Sequence, residues 1–499
     1  MQATSMLQPA VDPARPAPGW CCRPTNSTST WWYVGLFRRI KRVKRGRTSG
    51  RTVATLFSPV DHRNCSCRMP SLQKLTALVT LLSAVGTFAA PAPSLVARAP
   101  PAQFTALPNV GPGGSTFTDS PHFRIYGQTG STAQSALNML EAAYKCFVDD
   151  LGWRSSGLAY TDTTDADGPW YKVNIYSVAT LPGAAGVMHS DYGTGMAWLE
   201  VQNSYAANPG VVVHEYGHGL TYHAKNWVDQ GRTGAWWETT ANWIADTYKT
   251  SPLCAAARSQ YGQPVGNTEI NLQKTIGNSF QVLVDGTAGS GNYYEAWPFF
   301  TYLHTNLDNF PALGSAILKN MWSQYSLRSN ETPLHTLSRL SSTGAPRIVG
   351  RYWARMAYLD IGHTQAQQRF LSTRGSLNFA NLDSTGFGNY RVKSARQPRY
   401  MGANINPLKF SGAVTITARV AAVSGGTFTA TLVARNTSSG ATRYVELSGG
   451  SGSISVASRE EATLVVANTP ALILYDPFSI PAEVNKGLDY TVALTNATF

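Results

Sequence analysis

Two histidines four residues apart bracket a glutamate in His214-Glu215-Tyr216-Gly217-His218, and Glu238 follows twenty residues later. On a helix, positions i and i+4 lie about 40° apart around the axis, so both imidazoles leave from one face. Two neutral ring nitrogens can then reach one Zn²⁺ at roughly 2.0–2.1 Å. Glu215, one residue on, points to the side, where it can hold a water and take its proton instead of binding the metal. Asn208-Pro209 reads as an N-cap followed by a proline at the first helical position. Val211, Val212 and Val213 supply the apolar run of a buried helix. The competing reading is a core helix with two hydrogen-bonded histidines.

The third ligand sets the subclass. A metzincin needs a glycine three residues and a histidine six residues after the second ligand. Thr221 and Ala224 stand there, which excludes that class. His223 lies five after His218, about 140° around the helix, and cannot join the same ion without breaking the helix. Glu238 is the better candidate. It sits in a stretch from Ala235 to Asp246 that reads as a second helix, and Glu238, Asn242 and Asp246 share a face of it. Glu238 would bind the metal. Asn242 or Asp246 would accept the free N–H of a ligand histidine and fix its tautomer, a solvated helix face being the alternative for those two.

Two histidines from one helix and a glutamate from the next make the gluzincin arrangement. The nineteen residues between His218 and Glu238 resemble the spacing of thermolysin-type peptidases, over about residues 195–246. A wider stretch runs from Ser120-Pro-His-Phe-Arg-Ile-Tyr-Gly127 through Gly195-Met-Ala-Trp-Leu-Glu-Val-Gln-Asn203 to Asn292-Tyr-Tyr-Glu-Ala-Trp-Pro-Phe-Phe-Thr-Tyr-Leu303. It resembles the Svx or AvrXca-type secreted virulence proteins of plant-associated bacteria and fungi, a family regarded as zinc metallopeptidases. The resemblance implies a gluzincin-like catalytic domain and a β-rich tail. It supplies no substrate.

The formal charge of +13 is concentrated at one end. Residues 1–68 hold twelve Lys/Arg against two Asp, whereas from residue 100 onward 27 basic side chains face 26 acidic ones. The run Arg38-Arg39-Ile40-Lys41-Arg42-Val43-Lys44-Arg45 therefore bears on nucleic acid only in the leading segment, and no nucleic-acid partner is expected for the rest. Residues 1–68 read as a non-native, disordered leader. Met69-Pro-Ser-Leu-Gln-Lys74, the apolar stretch 75–89 and Ala90-Pro91-Ala92-Pro93 have the three parts of a secretory signal. Residues 69–90 thus read as a signal peptide, with translation starting at Met69 and cleavage near Ala89 or Ala90. A bilayer span needs about twenty apolar residues, so no stable membrane anchor is expected. The rival is an extended targeting or nuclear-localising leader. Cys21, Cys22, Cys65 and Cys67 fall in the leader, which leaves Cys146 and Cys254. In an oxidising extracellular compartment these two most simply pair; two buried free thiols are the alternative. Asn330, Asn436 and Asn496 open glycosylation sequons.

Residues 91–115, rich in Pro, Ala and Gly, read as a linker or short pro-segment. Segments 122–126, 171–176 and 195–201 read as strands and 133–151 as a helix. Helical segments around 297–303, 311–325 and 346–358 follow the two metal helices. Residues 116–400 are thus expected to form an α+β, zincin-like (gluzincin) catalytic domain with its cleft between lobes. Residues 401–499 carry alternating runs at 413–420, 427–434, 443–447, 461–467 and 490–494 between Gly- and Ser-rich turns, the pattern of a small all-β sandwich.

The expected chemistry is peptide-bond hydrolysis by a secreted monomer acting on a protein or peptide, a host cell-wall protein among the candidates. Glu215 would accept the proton of the attacking water and pass it to the leaving amine. The segment 195–199 would be the sheet edge on which an extended peptide pairs, or else an ordinary buried strand. Tyr293 and Tyr294 are candidates for the oxyanion stabiliser, with His223, His189 and His304 as alternatives and packed aromatics as the competing reading. A second possibility is a secreted binding or virulence factor with a structural or inactive zinc site and a glycan- or protein-binding sandwich. A third is zinc-dependent hydrolysis of a non-peptide bond.

Overall fold

Short apolar segments separated by glycine-rich turns build the first layer. The computed structural model describes residues 99–499, except Ala166 and Asp229, and the backbone of Trp31–Trp32. The rest of the expected leader, the expected signal peptide with its cleavage point, and Cys21, Cys22, Cys65 and Cys67 lie outside the described residues. The strands are β1 (Trp31–Trp32), β2 (Phe117–Asp119), β3 (Phe123–Tyr126), β4 (Val173–Val178), β5 (Gly186–Asp191) and β6 (Met196–Gln202). They form one sheet in the order β1-β5-β6-β4-β3-β2. β3, β4 and β6 run parallel, whereas β5 returns antiparallel along β6. Helix α1 (Gly130–Tyr144) makes the crossover and continues as a π-helical turn, Lys145–Asp150. Period-two alternation splits the sheet residues. Phe123, Ile125, Ile175 and Leu199 enter the main core, while Tyr126, Tyr176 and Trp198 form a smaller cluster on the other face with Val110.

The segment expected to be the sheet edge is β6, and it lies inside the sheet between β5 and β4. The cause is the turn Asp191-Tyr192-Gly193-Thr194-Gly195. Asp191 Oδ1 accepts the Gly193 and Thr194 amides at 2.9 and 3.0 Å, which folds the chain back into a hairpin. β5 therefore takes the outer position, with β1 beyond it: Trp31 lies opposite Ser190 and Trp32 opposite His189.

Helices α2 (Pro209–His223) and α3 (Trp236–Thr250) follow. Asn208 caps α2 by accepting the Gly210 amide at 2.8 Å. Next come α4 (Ala255–Gln260), α5 (Asn292–Glu295), α6 (Trp297–Thr305), α7 (Ile317–Ser323), α8 (Pro333–Leu340), α9 (Ala345–Met356) and α10 (Thr364–Thr373). A Cys146–Cys254 disulfide ties the end of α1 to the start of α4. The helix expected over 311–325 begins only at Ile317, because Ala312 and Gly314 adopt φ of +64° and +115°, outside the helical region.

The chain ends in β7 (Leu382–Gly386), β8 (Asn389–Val392), β9 (Ala403–Leu408), β10 (Val414–Ala422), β11 (Phe428–Asn436), β12 (Thr442–Glu446), β13 (Ser451–Val456), β14 (Glu460–Asn468), α11 (Ala482–Asn485) and β15 (Tyr490–Thr495). Two antiparallel sheets result, β13-β10-β15-β8-β7 and β12-β11-β14-β9. Ile416, Ala418 and Val492 of the first share a core with Leu432, Leu464 and Val466 of the second. The alternate residues Val433, Val465 and Ile405 belong to the main core with Ile348 and Tyr352 of α9. The second sheet is thus covered on both faces, which is why β14 is buried from Ala462 to Asn468 without a break while β10, wet on one side, alternates. The molecule is α+β with a β-rich C-terminal region. Among the described residues no helix is long and apolar enough to cross a membrane.

Candidate metal centre

A close helix crossing assembles the site. A Cβ at Gly217 would stand 3.1 Å from Ala241 Cα and 3.3 Å from Ile244 Cβ, so the missing side chain lets α2 and α3 approach. That approach brings Glu238, in the first turn of α3 and 0 % exposed, against the histidines of α2. His214 Nε2 and His218 Nε2 lie 3.1 Å apart, and each is 3.2 Å from Glu238 Oε2. Donors at 2.0–2.1 Å around a tetrahedral ion stand about 3.3–3.4 Å from one another. The buried triad can therefore hold a metal ion, and no other group of three or more such ligands is found among the described residues.

Electrostatics within the triad are strong. Burial alone would raise the Glu238 pKa, but the charge of His218 and hydrogen bonds from both histidines bring it down to about 2. Burial alone would lower that of His218, and Glu238 raises it instead. The cluster thus prefers an anionic carboxylate with positive charge beside it, which is what a cation would supply.

Glu215 stands on the strand side of α2. A Cβ at Gly186 would meet Glu215 Cγ at 2.7 Å, so only glycine lets β5 pass this carboxylate. The Met188 amide donates to the carboxylate, while Glu215 Oε2 has no partner among the described residues. Glu215 is 4 % exposed. Burial pushes its pKa up, against the opposing pull of His214 and His218. A buried carboxylate oxygen without a partner is costly unless water or another group meets it.

Asn242 is the residue of its ladder that reaches a ligand. Its Oδ1 accepts from His214 Nδ1 at 2.8 Å, which leaves Nε2 as the donor to an ion. Its Nδ2 donates to the Tyr294 carbonyl at 2.7 Å, and Thr239 Oγ1 donates to the Tyr293 carbonyl at 2.6 Å. α5 is thereby strapped to α3, with the Tyr294 ring centroid 6.3 Å from that of His214 and 4.4 Å from that of Tyr293. Asp246, one turn on, is engaged elsewhere: it accepts from Thr268 Oγ1 at 2.8 Å and pairs with His363 Nε2 at 2.6 Å.

The three alternative histidines are also engaged elsewhere. His223 donates from Nδ1 to the Leu158 carbonyl and accepts the Ala197 amide at Nε2. Burial and then the Arg154 charge lower its pKa to about 3. His189 pairs with Glu200 at 2.7 Å and stacks on Trp198, on the sheet face opposite the main core. His304 lies beside Trp243, 5.7 Å between centroids. What the spacing argument missed is β5, with Gly186 and Met188 over Glu215. Its signal was the Asp191–Gly195 turn between two short apolar runs, a hairpin signature.

Residues 119–499 match the model of a family of unknown function, DUF6055, and the chain belongs to that family. The matched span takes in the metal triad, Glu215 and both C-terminal sheets. No curated protein matches the chain.

Proposed function

We propose that this chain is a secreted, zinc-dependent peptidase of gluzincin type. One observation carries the reading: three buried donors from two crossing helices converge on one point, and an adjacent carboxylate keeps an oxygen without a partner among the described residues. Bound zinc would supply a Lewis acid that polarises a carbonyl and lowers the pKa of water toward about 7. Glu215 takes the proton of the attacking water on Oε2 and delivers it to the leaving amine. The Met188 amide holds the other end of that carboxylate still. Asn242 fixes the ring of His214, and Tyr294, whose ring centroid lies 6.3 Å from that of His214, is the candidate for stabilising the developing oxyanion. The edge of β5 pairs antiparallel with Trp31–Trp32, and in a chain processed to remove residues 1–90 that edge would take an extended peptide in their place through main-chain hydrogen bonds.

Glu215→Gln tests this directly. The variant is expected to keep its zinc, measured by metal analysis after dialysis, and to lose about 10²–10⁴-fold in turnover on a peptide library. Zinc retained with no hydrolysis by the parent chain would instead favour a binding or virulence factor with a structural ion. Equal turnover in parent and variant would remove Glu215 from the mechanism.

A further inference from the structure

The C-terminal region sends one segment back to the metal helices. After β14 the chain runs through residues 469–481 before it enters α11. Along that run Tyr475 is 2 % exposed, and its hydroxyl donates to the Val284 carbonyl at 3.0 Å. The Gly286 amide donates to the Pro477 carbonyl at 2.9 Å. Between these ties the Phe478 ring fills a slot bounded by two glycines. A Cβ at Gly234 would meet its Cε2 at 2.7 Å, and a Cβ at Gly286 would meet its Cδ1 at 2.7 Å. The same Gly286 Cβ would stand 2.9 Å from Ala235 Cβ, so the two segments also approach each other directly. The Tyr293 ring centroid is 6.3 Å away.

The two chain segments that grip Phe478 both lead to the site. Gly234 and Ala235 immediately precede α3, whose first turn carries Glu238. Gly286 lies on the approach to α5 and Tyr293–Tyr294. The start of α3 needs such support, because its N-cap is Ala235, which makes no side-chain capping bond. A helix start without a capping side chain is less stable than a capped one. Packing must hold the turn that presents the carboxylate.

We propose that Phe478, supplied by the β-rich C-terminal region, is a positioning residue that wedges the first turn of α3 and thereby holds Glu238 in ligand geometry. The proposal rests on the metal-centre reading above. It gives the C-terminal sheets a part in building the site.

The test uses the full chain, zinc affinity by chelator competition, and the visible spectrum of the Co²⁺-substituted protein as a report of ligand geometry. Phe478→Ala and Gly286→Ala, which empty or crowd the same slot, are expected to weaken zinc binding about 10–100-fold and to shift the cobalt bands. Phe478→Leu is expected to stay close to the parent. Leu432→Ala, in the core between the two C-terminal sheets, should lower stability while keeping the parent's affinity and spectrum. Folded Phe478→Ala and Gly286→Ala with parental affinity and spectrum overturn the proposal. So does an equal loss of affinity in Leu432→Ala, or failure of both slot variants to fold, since the segment would then serve folding alone. If only Phe478→Ala fails to fold, Gly286→Ala decides. A parent chain that binds neither zinc nor cobalt overturns the metal-centre reading itself.

Discussion

Asn242 uses both ends of one amide, its oxygen on the ring of His214 and its nitrogen on the strap that carries Tyr294. Replacing it separates these two roles. Asn242→Ala removes both bonds and is expected to weaken zinc binding about 10–100-fold in chelator competition. Asn242→Asp keeps an acceptor for His214 but loses the donor to Tyr294, so it should retain zinc while turnover falls. Parental zinc affinity in Asn242→Ala would end the role in ligand orientation. The ladder Glu238, Asn242, Asp246 was visible in the sequence, but which polar member serves the histidine was not. Each step of four residues advances about 6 Å along the helix, so the answer depends on where α2 and α3 cross. That crossing is set at Gly217 and Ala241, and helical spacing alone does not reveal it.

At the scale of elements, the same crossing is the most sensitive joint. Gly217→Val inserts a branched side chain where a Cβ already meets Ala241 Cα at 3.1 Å. Backbone cannot swing aside as a side chain can, so α3 must move. Overpacking of this kind costs about 1–3 kcal/mol, and the separation of Glu238 from the histidines should grow with it. The variant is expected to melt lower and to lose bound zinc. A Gly217→Val protein with full zinc content would show that the two helices adapt without disturbing the triad. Elements with strong periodicity were legible: α2 with its Asn208-Pro209 entry, α3, and the alternating β10. β5 was not, because six residues with one glycine and one histidine carry little pattern of their own. Its place follows from the hairpin turn and from pairing with β6, which are non-local facts. β14 was readable as a strand, but its burial on both faces depends on α9 arriving from a distant part of the chain.

At the scale of the whole molecule, one charged network couples the helices to the C-terminal sheets. Asp308, after α6, accepts from Arg355 Nε at 2.6 Å and from Arg351 Nε at 2.8 Å, both on α9. Arg355 also bonds Asp360 at 2.7 Å, and the Tyr444 hydroxyl of β12 donates to the same Asp360 oxygen at 2.6 Å. The Arg351 guanidinium lies 3.9 Å over the Tyr444 ring. Burial alone would raise the Asp308 pKa, but the hydrogen bonds from Arg355 and Arg351 outweigh it and hold the carboxyl below its ordinary value. A folded pKa below the unfolded one, about 3.9, means stability that is fully present above that pH and is lost as pH falls through the folded value. The parent should therefore lose stability steeply below about pH 4. Asp308→Asn takes an anion from buried Arg355, which keeps only Asp360, and from half-buried Arg351, and should cost about 2–3 kcal/mol at neutral pH. It should also flatten the acid limb, because the variant has no proton to take up there. Urea unfolding at pH 7 and at steps below pH 4 measures both quantities. Parallel curves for parent and variant would mean that the acid sensitivity lies in other carboxylates and that this junction does not control it.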